Sequence, residues 1–168
     1  MAIIFNEYSK KSSIEEKFEA LCEKLLPPLG YGVYDLRYLS GSATLRVFLT
    51  KNDSVNGIDL NDCIKVDKMI TPYIEEESWI PENFVLEVSS PGVYRDIRGL
   101  DQLKFSVGEL IKVKFNSKAE EKELKNQVKI ATLVEFDDTG MIVLLEDNNK
   151  KITIKYEMIK SVNAELKI

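Results

Sequence analysis

The sequence predicts an α+β chain in two parts. An N-terminal α/β sandwich-type domain, helices on a small sheet, is followed by a C-terminal small β-barrel of the SH3-like or Sm-like kind. Two observations carry this. Up to residue 88 the hydrophobic pattern reads helix, strand, strand, helix, strand, the order of a small α/β layer. Beyond Gly99 it reads as five short strands separated by turn chemistry, without a long helix.

The elements follow in order. Ser12 and Ser13 stand three residues before Glu15 and Glu16, the spacing of a capping box. Ile14, Phe18, Leu21, Cys22 and Leu25 then repeat at helical period until Pro27 and Pro28 stop the run. A helix is therefore predicted over 13–26. Val33–Leu39 and Leu45–Thr50 alternate as strands around Ser40-Gly41-Ser42, a hairpin signal. Asp59 is placed to cap a second helix, with Leu60, Cys63, Ile64, Ile70 and Ile74 down one side and Pro81 beyond its end. Phe84–Val88 is the third strand. A short helical piece over 100–105 leads into strands at 110–115, 127–136, 141–146, 151–156 and 162–166, with hairpin chemistry at Asp137-Asp138-Thr139-Gly140 and Asp147-Asn148-Asn149. The charged 117–126 stretch reads as an extended loop. The domains are placed at 1–92 and 93–168, with a short linker over 93–99.

Composition narrows the function. The chain has no histidine and two cysteines, which removes Ser-His-Asp and Cys-His machinery, histidine metal ligands and a four-thiolate zinc site. No Gly-rich phosphate loop or nucleophile elbow is present. The expectation is a protein that is not an enzyme and needs no cofactor or metal. Cys22 and Cys63 fall on apolar stripes and read as core thiols. No apolar run approaches the ~20 residues of a membrane span, and Asn6, Glu7, Tyr8 and Lys10 break up the start that a secretory leader would use, so a cytoplasmic protein is expected. Residues 1–99 hold 11 Lys and Arg against 16 Asp and Glu, a net −5, and residues 100–168 hold 12 of each. An acidic first half suits a basic protein partner better than a polyphosphate.

The most unusual segment is Phe84-Val85-Leu86-Glu87-Val88-Ser89-Ser90-Pro91-Gly92, a strand running into a turn. Pro91 presets the second turn position and Gly92 permits positive φ at the third, which is type II chemistry. Ser89 and Ser90 can bond to nearby backbone. Leu86 to Gly92 resembles the signature of the RimP family, in which such a strand leads into the interdomain linker. Leu29-Gly30-Tyr31 with Val33-Tyr34-Asp35-Leu36 resembles that family's first strand, and Leu45-Arg46-Val47-Phe48-Leu49 its second. Gly57-Ile58-Asp59-Leu60-Asn61-Asp62-Cys63 resembles the start of its second helix, and Phe105-Ser106-Val107-Gly108 with Ile111-Lys112-Val113 the opening of its C-terminal barrel. There are departures. Val93-Tyr94-Arg95-Asp96-Ile97 stands where the family commonly has a Leu-Asp-Arg-Pro-Leu type string, and 125–131 lacks its Phe-x-Gly pattern.

The resemblance implies a ribosome maturation factor for late assembly of the 30S small subunit, acting by binding. It implies contact with ribosomal protein twelve of the immature subunit, which is basic, and proximity to 16S rRNA; a monomer is expected. Glu87, Ser89, Ser90, Pro91, Gly92 and Arg95 are the candidate junction and partner-binding residues, with removal of the Arg95 side chain expected to weaken association and leave both domains folded. Lys112, Lys114, Lys129, Lys151 and Lys155 form a basic stripe if their strands are adjacent, fit for phosphate or an acidic patch. The alternative is an Sm-like RNA-binding chaperone, against which stand the neutral second half and the lack of exposed aromatic pairs for base stacking; Trp79 and Tyr94 are the loose candidates.

Overall fold

A computed structural model describes Phe5 and residues 11–166. The residues read above for a leader lie outside that range. The chain divides into two compact units, one over 11–92 and one from Val93 onward that also includes Phe5.

The first unit has helix α1 (Ser13–Leu25), strands β1 (Tyr31–Leu39) and β2 (Thr44–Lys51), helix α2 (Leu60–Glu76) and strand β3 (Val85–Ser89). Ser12 caps α1: its Oγ accepts from Glu15 N at 3.3 Å while Glu15 Oε1 accepts from Ser12 N at 2.7 Å. Asp59 and Asp62 do the same for α2 with an acidic side chain on both sides of the box. Pro72 sits inside α2 without ending it. β2 is central, antiparallel to β1 and parallel to β3. A parallel neighbour demands a crossover, and α2 is that crossover. Leu45, Val47 and Leu49 alternate onto one sheet face and are fully buried against Phe18 and Cys22 of α1 and Val66 and Ile70 of α2. Both helices therefore cover the same face.

The second unit opens with β4 (Asp96–Ile97), a four-residue helix α3 (Leu100–Leu103) and a 3-10 turn. Then come β5 (Leu110–Phe115), β6 (Val128–Phe136), β7 (Gly140–Leu145), β8 (Lys151–Lys155) and β9 (Ile159–Ala164), hydrogen-bonded in the order β4-β9-β5-β6-β7-β8. Ile111, Val113, Leu133, Met141, Val143, Ile154 and Val162 make its core. The ladder is open: β4 and β8 stand at its ends, and no strand pairing joins them among the described residues.

Three expectations shift. Residues 93–99 are not a bare linker, because Asp96 and Ile97 pair with Asn163 and Val162 and Ile97 is fully buried in the second core. A strand of two residues has no periodicity to read. Phe5 packs with the second core, its N–H donating to Arg98 O at 3.0 Å and its ring 4.9 Å from Tyr156. The last strand starts at Ile159, three residues before its predicted start, because a 3-10 turn over Tyr156–Met158 rejoins β9 directly. The 117–126 segment does connect β5 to β6, and it buries Ala119 and Leu124.

Candidate functional site

β3 presents the junction residues. Its cross-strand partner sets Glu87 opposite Arg46, and the guanidinium Nε donates to Glu87 Oε2 at 2.8 Å. Both side chains are about half exposed, so the pair fixes orientation more than it stabilises. Ser89 Oγ donates to Ser90 O at 2.9 Å, a local bond that holds the end of the strand. Gly92 has φ +83°, the left-handed value read from the sequence, while the turn itself falls on Val93 and Tyr94. Arg95 serves the second unit: its Nη2 donates to Ser106 Oγ at 3.0 Å and to Phe105 O at 3.3 Å, and its carbonyl accepts from Ala164 N at 2.9 Å. Those bonds tie the Arg95 side chain to the start of the second unit, so its removal is expected to cost that unit stability as well as association.

The lysines do not make one stripe. Lys112 and Lys114 of β5 lie opposite Ile130 and Val128 on the outer face of the second sheet. Lys129 lies opposite Val113 and so shares the core-side face, where it reaches Asp147 at 2.8 Å from the end of its strand. Lys151 and Lys155 are on the outer face of β8, and β6 and β7 separate them from β5. Val128, Ile130, Thr132, Ile142 and Leu144 occupy that interval, with the carboxylate Glu135 opposite Ile142. Lys155 faces Glu120 at 3.7 Å. Of the aromatic candidates, Trp79 is packed edge-on against Phe18 at 4.9 Å and donates to Glu77 Oε2 at 2.8 Å, and Tyr94 is exposed.

Two features escaped the sequence reading. One is a buried polar knot at the start of α2. Asp62 Oδ1 accepts from the Tyr31 hydroxyl at 2.6 Å, its Oδ2 accepts from Asp59 N at 2.9 Å, and Lys51 Nζ lies 3.0 Å away. Those bonds hold the Asp62 carboxyl well below the usual carboxylate range and push the Tyr31 hydroxyl up to about 12. The other is a groove of about 610 Å³ between the C-terminal half of α2 and β3. Ile74, Ile80, Phe84 and Leu86 supply its apolar lining, and Asp67, Glu75, Glu77 and Glu82 supply carboxylates. No lysine or arginine lines it, and none of the four enters an ion pair among the described residues. Glu75-Glu76-Glu77 is a run of charge in the sequence. Its position beside a strand edge required the parallel β2–β3 pairing.

Residues 21–94 match the family model described as the RimP N-terminal domain. This part of the chain is a RimP N-terminal domain. RimP is a family of ribosome maturation factors, and the match spans most of the first unit, ending before β4. Among the described residues no group of three or more His, Cys, Asp or Glu side chains could hold a metal ion, and no helix is long and apolar enough to cross a membrane.

Proposed function

We infer that this chain is a RimP-family protein that acts in late assembly of the 30S small subunit, binding the immature particle without catalysing a reaction, as a cytoplasmic monomer. The family match over 21–94 carries the reading. The charge distribution supports its partner chemistry. The first 99 residues hold the whole net charge of −5, which favours a basic ribosomal protein, such as protein twelve of that subunit, over bare 16S rRNA. The second sheet is read as an SH3-like or Sm-like module, and the segment from Glu87 through Ser89, Ser90, Pro91 and Gly92 to Arg95 as the stretch through which the two units are set for binding. The separation of Lys129 from the outer-face lysines weakens the rival reading of an RNA-binding chaperone.

Cosedimentation with immature and mature small subunits, and with naked ribosomal RNA, at two salt concentrations tests this. Retention on the immature particle alone is the expected result. Equal retention on naked RNA, lost steeply with salt, would move the protein to the RNA-chaperone class.

A further inference from the structure

The first unit has an open strand edge lined by an acidic, apolar groove. β3 ends the sheet order β1-β2-β3 and, among the described residues, pairs with β2 alone. Val85 N donates to Ala43 O at 2.9 Å on the β2 side, so alternation turns the peptide groups of Leu86 and Val88 outward. Neither has a backbone partner on that outer side among the described residues. The short strand remains accessible; Val85 is 47% exposed. Such an edge is a template for another strand. The groove alongside it supplies what gives an added strand specificity: apolar surface for alternate side chains and carboxylates for the rest.

We propose that the α2–β3 groove is a docking site for an extended segment of a partner protein in which basic and apolar residues alternate, bound by strand addition to β3. The inference rests on the reading above that the partner is a basic protein. Apolar side chains of the segment lie against Ile74, Phe84 and Leu86, and its Lys or Arg side chains meet Asp67, Glu75, Glu77 and Glu82. Charge selects this occupant. RNA phosphates would face four carboxylates that enter no ion pair among the described residues, and a second copy of the chain docked edge to edge would set those carboxylates against their own kind.

The test uses the full chain and a capped nine-residue peptide of alternating Val and Arg as probe. Amide NMR shifts and calorimetry read position and affinity. The controls are a Val and Glu peptide, and a Val and Arg peptide methylated at alternate backbone nitrogens, which blocks strand addition without altering the protein. The basic peptide is expected to shift the Leu86 and Val88 amides. Methylation is expected to weaken it by at least about tenfold, since main-chain bonds give such complexes their affinity. Glu75→Lys with Glu82→Lys, both exposed, is expected to weaken it by about tenfold as well. Equal binding of the methylated peptide, undiminished binding to the folded double variant, or shifts confined to other surfaces would overturn the proposal, as would β3-mediated dimerisation of the free chain. The two readings separate cleanly. Retention on the immature subunit without peptide binding at β3 removes the groove and leaves the assembly role. Peptide binding at β3 without subunit retention keeps the groove and removes that role.

Discussion

At Asp62 one carboxylate carries three jobs: it closes the capping box of α2, accepts the Tyr31 hydroxyl and faces Lys51. Burial of such a group is tolerated because its oxygens are bonded. The linkage to pH has two arms. The folded-state value of Asp62 is depressed, so its contribution is present above the ordinary carboxylate value near ~4 and is lost as pH falls toward the folded value. Tyr31 is raised to about 12, so its contribution is present below the ordinary value near ~10 and is lost as pH rises to about 12. Tyr31→Phe is expected to lower Tm between those limits, with the gap to the wild type narrowing as pH climbs past ~10. Thermal unfolding of both proteins across the pH range checks this, and a gap that stays constant above that pH would contradict the assignment. Gly140 shows a second single-residue constraint. A Cβ there would lie 2.4 Å from Ile154 O and 3.2 Å from Ile154 C, both backbone atoms of the neighbouring strand. Gly140→Ala is expected to cost about 1–3 kcal/mol by urea unfolding, the range of overpacked sites. At Gly41 a Cβ meets nothing within 4 Å, so Gly41→Ala is expected within about 0.5 kcal/mol of wild type.

Among the elements, α1 shows how local chemistry fixes a boundary. Its Ser12 and Glu15 bonds satisfy the backbone N–H groups of both residues, and Leu26 N closes the other end on Cys22 O. Ser12→Ala is expected to destabilise the first unit by about 1 kcal/mol, with faster hydrogen exchange in the first turn of α1. Such features were legible in the sequence because they depend on neighbours a few residues apart. The same holds for β5, whose predicted span of 110–115 is the one observed. What the sequence left unread depends on distant pairing. The two-residue β4 exists only because β9 is there to receive it. The faces of the lysines turn on register: the Val113–Lys129 pairing puts Lys129 behind the sheet although its neighbours in sequence alternate as Lys112 and Lys114 do. The groove is likewise invisible until β3 is known to lie at an edge. Local signals thus drew the elements, and the candidate binding surfaces came from which strand stands next to which.

For the whole molecule, the two units have separate apolar clusters: Leu45 belongs to the first and Leu133 to the second, and both are fully buried. Leu45→Ala and Leu133→Ala are each expected to cost about 2–5 kcal/mol in the unit that holds them, because each leaves a cavity in a close-packed core. Native-state hydrogen exchange tells where that loss falls. Leu45→Ala should speed exchange through α1, β2 and α2, and Leu133→Ala through β5, β6 and β7, since cooperative opening follows contiguous packed units. If either substitution accelerated exchange equally over the whole chain, the two cores would be opening as one. The distinction bears on function. A chain whose acidic first unit retains its structure while the second is loosened can still present the α2–β3 edge. Subunit retention by Leu133→Ala should then fall less than retention by Leu45→Ala at equal loss of stability. The opposite order would place the decisive surface on the second unit.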